Sequence, residues 1–552
     1  MLRNIPRLSS TSYDILVVGG GIYGACAAWE GALRGLRVAL IEAGDFGGAT
    51  SGNSLRTLHG GLRHLQRLDF RRMRESIRER REWLRLAPHL ARPLRFILPT
   101  QGQGVRGPLV MRAALTINDL LSADRNRGVR ADRCLPRGAL LSERAARAAL
   151  SGIELPGCNG AAAWYDAVCL DTERLLLSVI TAAADAGAHA ANYVRATGLL
   201  ADRSRIRGVH ARDVLSGREM EMRARFVINA AGPWVEDWLP AGAGRPQAPM
   251  FRASRAFNLL TRPLPFADGV GLTVRARGSG STYFILPWNG YSLIGTRHLS
   301  CDPSARVPDV MRDEVLAFVR DLNTVLGEHR LTGADVHGVF AGLLPQEDEH
   351  SGTEVALERD PQLIDHEPAG LAGLLSVVGV KWTIAPAVAA QAVRIACRHL
   401  GAGDEIMRRP RKLAPMASTF YASPRGGGTL DPAVLAHLEQ CHGAAHRHVL
   451  ALMTGEPALA ARVVADLPVV LAQIAYAARA EMAVRLCDVV MRRTPLYLSR
   501  SLERPALTAC AATLARELRW SSKETGAQVD EAARQLAAFR GPMVCDLEPA
   551  AA

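Results

Sequence analysis

An apolar, β-branched run from Tyr13 to Val18 leads into the glycines of Gly19 to Gly24 and a helical spacing that Gly35 closes; Arg37 to Ile41 is a second run ending at Glu42. This order predicts a βαβ unit. Residues 65 to 86 read as a helix in which Arg67, Arg71, Arg72, Arg74, Arg78, Arg80, Arg81 and Arg85 are interspersed with Asp69, Glu75, Glu79 and Glu82, the pattern of a solvated, salt-bridged face. Gln101 to Leu150 shows no period and reads as irregular. Thr172 to Ala186 reads as a helix, and Ile206 to Asp213 and Arg218 to Asn229 as strands around a Ser216-Gly217 turn. Short runs between Phe251 and Arg297, bounded by turn residues, predict an antiparallel sheet laid over the first domain. Strand Leu371 to Val378 and helix Pro386 to Leu400 return to the α/β pattern. Beyond a linker, Ser418 to Gly428, the Ala-rich pattern from Asp431 predicts a separate helical domain.

Composition then removes whole classes. With 552 residues, 48% of them hydrophobic, the chain reads as globular, which excludes disorder, collagen and a small disulfide scaffold. The net charge of +13 is carried by 64 Arg and three Lys. Because the Arg are scattered through every segment and aromatics are 5%, no nucleic-acid partner is expected. Ten Cys without a CxxC pair or metal-ligand spacing predict a reduced, cytoplasmic chain with no metal. The longest apolar stretches, Gly370 to Val380 and Leu467 to Ala478, fall short of the roughly 20 residues a spanning helix requires.

The glycines carry the first chemistry. Gly19 permits a tight turn, Gly21 lets a pyrophosphate approach the backbone, Gly24 lets the helix pack closely, and the helix N-terminus faces the phosphates. Glu42, at the end of the next strand, is placed to accept a ribose hydroxyl. This fingerprint suits FAD and NAD alike, but the small polar loop Ala49 to Gly61 suits a flavin wrapped by hydroxyl and backbone donors. Without a second fingerprint for a nicotinamide, the substrate itself is the expected reductant. Lys381, between a predicted strand and a helix with Pro386 in its first turn, is placed to stabilise negative charge on a reduced flavin.

Six segments, GGGIYGACAAW, ATSGNSLRTLHGGLRHL, VINAAGPWV, ILPWNGYSLIGT, SVVGVKWT and AYAARAEMAVRLCDVVMRRTPL, occur in the order seen in aerobic, FAD-dependent glycerol-3-phosphate dehydrogenases and oxidases, and the chain resembles that family over nearly its whole length. The resemblance implies an α/β fold: a glutathione-reductase-like, Rossmann-type FAD-binding domain (13–95, 151–250 and 335–405), an antiparallel β substrate cap (96–150 and 251–334) and a C-terminal helical domain (420–552). It implies oxidation of sn-glycerol 3-phosphate to dihydroxyacetone phosphate, with quinone or oxygen as electron acceptor. Quinone-linked members sit peripherally on the inner face of the cytoplasmic membrane, and the Arg-rich helix is the expected lipid contact here; a homodimer is compatible with the family. Carried onto matching positions, the resemblance assigns Gly19, Gly20, Gly21, Ile22, Gly24, Glu42, Ala43 and Val194 to the ADP half. Thr50, Ser51, Ser54, Arg56, His59, Gly60 and Gly61 fall to the flavin side, Ala230, Gly232, Pro233 and Trp234 to the strand end near FAD, and Lys381, Trp382 and Thr383 to the flavin ring.

The substrate residues depart from the family pattern. Its KGSH reads Arg252-Ala253-Ser254-Arg255, replacing an imidazole by a guanidinium that does not readily take a proton at neutral pH. Its GVRPL reads Gly342-Leu343-Leu344-Pro345, and Lys381 is followed by Trp382-Thr383-Ile384 without the family's Tyr and Arg. The retained or new basic groups expected at the substrate are Arg63, Arg255, Arg359 and Lys381, with His64 a replacement base and Lys381 and Arg255 further catalytic candidates. Two other readings stay open: the same flavin scaffold acting on a different alcohol or an amine, and an inactive flavin-binding protein acting through its surfaces.

Overall fold

The computed structural model describes residues 1–104, 107–150, 152–153, 156–202, 205–239, 252–265, 269–301, 309–346, 360–403, 405–406 and 430–541. The chain divides into two compact units, Met1–Gly52, Asp171–Arg252 and Glu358–Leu536 in the first, and Asn53–Leu170, Ala253–Leu357 and Ala537–Ala552 in the second.

The first unit is built on a sheet whose strands run Gln362–Asp365, Leu374–Val378, Glu219–Asn229, Tyr13–Val18, Val38–Ile41 and His189–Ala191. All neighbours are parallel except the edge strand Gln362–Asp365. Val38–Ile41 is buried at every position, as parallel strands covered on both faces must be. Strand Glu219–Asn229 serves two layers. Its first half pairs antiparallel with Arg205–Asp213 and alternates exposed with buried residues, whereas Phe226 to Asn229 is wholly buried beside Tyr13–Val18. Helix Ile22–Leu33 packs against helices Thr172–Asp185 and Ala385–His399. The C-terminal helices Pro432–His442, His446–Gly455 and Leu471–Ala480 close over their own core of Val434, Leu438, Val449 and Val470.

The C-terminal helices group with the first unit rather than standing apart, and a buried ion network ties them to it. Asp45, just beyond strand Val38–Ile41, binds Arg493 at 2.7 Å and Arg492 at 2.5 Å, while Arg174 of helix Thr172–Asp185 holds Glu481 at 2.8 Å.

The second unit is a nine-stranded sheet ordered Val336–Gln346, Arg252–Thr261, Tyr291–Ser300, Thr282–Trp288, Val270–Arg275, Ala91–Gln101, Cys158–Cys169 and Thr57–Leu58, with Ala139–Ser142 also paired to Cys158–Cys169. Residues 53–95, drawn into the cofactor domain from the sequence, group here because Thr57–Leu58 and Ala91–Gln101 both pair with Cys158–Cys169. Helix Arg312–Leu322 seals one face, packing Phe318 on Phe257 and Tyr283. Two local expectations are corrected. Residues 65 to 86 are a 3₁₀ turn, Leu62–Arg67, followed by helix Phe70–Leu86, because Asp69 caps the helix by accepting from Arg72 N–H at 3.1 Å. Gln101 to Leu150 is not irregular: it holds helices Pro108–Leu121 and Glu143–Ala149. The former buries only Leu115 and Asn118 and leaves apolar residues outside, so it lacks the polar face by which periodicity is recognised.

Candidate cofactor and substrate site

In the first unit, Tyr13–Val18 ends and helix Ile22–Leu33 begins within the span of three glycines. Gly19 has φ +109°, and a Cβ there would stand 2.4 Å from the Ala230 carbonyl oxygen; one on Gly24 would stand 1.9 Å from the Gly19 oxygen. Both are therefore fixed by backbone contact. A Cβ on Gly21 would meet only the Ser51 hydroxyl, at 3.1 Å, so this glycine borders open space at a helix N-terminus. That cradle fits a pyrophosphate. Ser51 caps it, accepting from Ile22 N–H at 3.0 Å. Glu42 accepts from Gly20 N–H at 2.6 Å and Gly44 N–H at 2.8 Å, and burial raises its pKa against those bonds. It braces the turn in addition to standing where a ribose is expected. Ala43 follows it, and Val194 N–H donates to the Glu42 carbonyl at 2.7 Å.

Ala230 ends its strand by donating to the Val18 carbonyl at 2.8 Å, and Gly232, Pro233 and Trp234 make a single 3₁₀ turn after it. Lys381, Trp382 and Thr383 lie between strand Leu374–Val378 and helix Ala385–His399. Trp382 Nε1 donates to the Ser51 carbonyl at 3.2 Å, joining this segment to the loop that includes Thr50. Sequence reasoning missed Tyr23, an unassigned position inside the fingerprint. Its hydroxyl binds the backbone of Val380 and Lys381, and its ring covers Gly379.

In the second unit, Asp166 organises the turn after Thr57–Leu58. Its carboxylate accepts from Gly60 N–H at 2.6 Å and from Trp164 Nε1 at 3.1 Å, pairs with Arg80, and lies 3.9 Å from His59 Nδ1. Gly60 is required there because a Cβ would fall 2.2 Å from Arg80. Gly61, at φ +78°, opens the turn that carries Arg63 and His64. Ser54 accepts from Arg56 N–H at 3.3 Å. Two of the expected site residues have partners within the protein. Arg56 is buried between Trp288, 4.5 Å away, and Phe340, 4.9 Å away, so its cation is engaged inside the second unit. Arg255 is bound by the Glu314 carboxylate and the Asp309 carbonyl, which take up the charge expected to meet substrate. Arg63 differs: it is solvent-exposed, no hydrogen bond or ion pair holds it among the described residues, and partial desolvation together with Arg67 lowers its pKa. The His64 carbonyl accepts from Asp69 N–H at 3.1 Å. Arg359 lies outside the described residues.

Comparison with known proteins follows this geometry. The family described as FAD dependent oxidoreductase matches residues 14–395, and the C-terminal domain of alpha-glycerophosphate oxidase matches residues 387–525. The chain is 31% identical to a glycerol-3-phosphate dehydrogenase of Synechocystis sp. over 96% of this chain and 97% of that protein. It is 31% identical to glycerol-3-phosphate dehydrogenase 2 of Mycobacterium tuberculosis, covering 88% and 81% of the two chains. In fold it is similar to the glycerol-3-phosphate dehydrogenase of Bacillus halodurans complexed with FAD, with a TM-score of 0.73 over 98% and 97% of the chains at 22% identity. Fingerprint cradle, cap and helical C-terminus thus fall in one assignment: the chain belongs to the FAD-dependent glycerol-3-phosphate dehydrogenase and oxidase family.

Proposed function

We propose that the protein oxidises sn-glycerol 3-phosphate to dihydroxyacetone phosphate and passes the electrons to a quinone at a membrane surface, with oxygen as the alternative acceptor. When bound, FAD supplies the acceptor for the two electrons and the hydrogen lost from the carbinol carbon. Gly19, Gly21, Gly24, Ser51 and Glu42 hold its ADP half; Lys381, fixed by Tyr23, serves the flavin ring, where an ammonium offsets developing negative charge.

The observation that carries the substrate reading is Arg63, a solvent-exposed guanidinium given no counter-charge among the described residues. An anionic substrate supplies that charge through a bidentate contact. The test is to add sn-glycerol 3-phosphate to the FAD-loaded protein without oxygen and follow the flavin band. Rapid bleaching is the expected result. Bleaching by dithionite alone points to the second reading, a different alcohol or amine, which Arg255 favours because its pairing with Glu314 leaves fewer basic groups for a phosphate.

For the membrane, no helix among the described residues is long and apolar enough to cross one. The support for peripheral contact lies on helix Pro108–Leu121, where Leu109, Ile117 and Leu120 share an exposed stripe. The helix packs near the Leu62–Arg67 turn, beside exposed Leu68, Phe70 and Arg71. On the Arg-rich helix, Arg74, Arg80, Arg81 and Arg85 are engaged in ion pairs, and its first residues, Phe70 and Arg71, join this patch.

A further inference from the structure

The C-terminal segment Ala475 to Leu496 takes no part in the chemistry above, yet it reaches the turn that carries Glu42. In the first unit, Arg492 and Arg493 leave the single π-helical turn Val489–Arg493 side by side and both end on Asp45, Arg492 Nε at 2.5 Å and Arg493 Nη1 at 2.7 Å. Consecutive residues of an α-helix point about 100° apart, whereas this wider turn brings two neighbours onto one carboxylate; such turns are frequent at functional sites. Arg492 also binds Asp488 at 2.8 Å, and Asp488 accepts from the Tyr193 hydroxyl at 2.6 Å.

Both arms close on the turn from Glu42 to Gly44. Asp45 is the next residue along the chain. From the other side, Tyr193 N–H donates to the Gly44 carbonyl at 2.8 Å and Val194 N–H to the Glu42 carbonyl at 2.7 Å. Tyr193 is held at φ +55°, a left-handed conformation that a bulky residue keeps only where its surroundings over-determine it. Asn192 joins the two sides, donating to Asp45 at 2.9 Å and to the Met482 carbonyl at 2.8 Å. The turn so held presents the Glu42 carboxylate to Gly20 N–H at 2.6 Å. Beyond Asp45, Phe46 lies against the fingerprint, where a Cβ on Gly20 would stand 2.6 Å from its ring, and a Cβ on Gly48 would stand 3.9 Å from Arg492 Nη1. A buried ion cluster is a poor stabiliser beside an apolar filling of the same volume, so what this one contributes is position.

We propose that Arg492 is a positioning residue for the cofactor: through Asp45 and Asp488 it fixes the Glu42 to Gly44 turn from both sides, so that the C-terminal helices set the affinity for the ADP half of FAD. The fingerprint glycines supply the cradle, and Arg492 sets where its ribose-side wall stands. The coupling is reciprocal: binding of the cofactor tightens the C-terminal segment by the same factor by which that segment tightens the cofactor. This holds whichever alcohol or amine is oxidised, since no substrate group enters it.

The test uses the full chain freed of FAD and reconstituted with it. In Arg492→Gln, which keeps a polar side chain and removes the shared charge, the dissociation constant for FAD, read from quenching of flavin fluorescence, is expected to rise about tenfold or more. The absorption spectrum and the dithionite reduction of the FAD-saturated variant are expected to match the wild type. An unchanged constant overturns the proposal, and so does a shifted spectrum at saturation, which would place the effect of Arg492 at the isoalloxazine ring. A purely structural defect lowers the amount of protein that binds and not the affinity of the folded remainder. In the wild type, FAD is expected to slow amide hydrogen exchange over residues 484–494 about tenfold, and Arg492→Gln to lose most of that slowing. Wild-type exchange in this segment that is indifferent to FAD overturns the coupling, whether or not the variant folds.

Discussion

The Tyr23 hydroxyl donates to the Lys381 carbonyl at 2.7 Å and accepts from the Lys381 N–H at 3.1 Å, so the fingerprint helix itself holds the lysine segment. Val380 N–H adds a third bond at 3.2 Å. Tyr23→Phe keeps the ring that covers Gly379 and removes all three. FAD content should be unchanged and flavin reduction slowed about fivefold, since a net hydrogen bond is worth about 1 kcal/mol. Stopped-flow rates within twofold of wild type would show that other contacts set the position of Lys381.

Two glycine substitutions should fail differently. Gly24→Val drives a side chain into the Gly19 carbonyl, 1.9 Å from its Cβ, and should reduce folded yield. Gly21→Val meets only the Ser51 hydroxyl and should give a folded protein that does not retain FAD. Circular dichroism and flavin absorbance separate the outcomes; a fully flavinylated Gly21→Val protein would overturn the cradle assignment.

Asp45 is buried with Arg492, Arg493 and Asn192 bound to it, and the two guanidinium groups hold its carboxyl well below the usual carboxylate range. Removing one partner of such a cluster leaves charge uncompensated, so Arg493→Ala should lose about 3–5 kcal/mol of stability. Chemical denaturation with FAD bound measures this. Since Asp45 follows directly on the Glu42 turn, weaker FAD retention should accompany the loss.

Stability should fall on acidification. Burial holds His298, His437 and His442 near a pKa of about 4. Their ordinary value is about 6.5, so between these limits the unfolded chain binds protons that the folded chain refuses. The contribution is full above about pH 6.5 and lost as pH falls through about 4, amounting to about 3 kcal/mol for fully buried His442. Thermal unfolding should be flat above neutrality and drop below it, less steeply in His442→Gln; an equal slope would exclude His442.

If the exposed stripe on helix Pro108–Leu121 meets lipid, the double substitution Leu109→Glu and Leu120→Glu should abolish sedimentation with anionic vesicles, because both side chains are more than 70% exposed, at 79% and 72%. Soluble-acceptor activity should be unchanged. Vesicle binding equal to wild type would place the contact elsewhere.

The cofactor half was legible because it depends on local rules. Gly19, Gly21 and Gly24 are needed wherever a strand turns into a helix under a phosphate, and Lys381 sits where a strand end meets a helix start. The substrate half was less so. Arg255 and Arg56 looked like free cations until strand pairing put one against Glu314 and the other between Trp288 and Phe340.

By itself, the sequence determined the βαβ cofactor unit, the dinucleotide turn, the antiparallel cap and the helical C-terminus, because each follows from periodicity and turn chemistry over short spans. Tertiary structure alone decided which charges are satisfied. Whether Arg63, Arg255 or Arg56 has a partner depends on side chains brought together from distant segments, and the energy of a charge is set by that company and by its burial, neither of which is written in neighbouring residues.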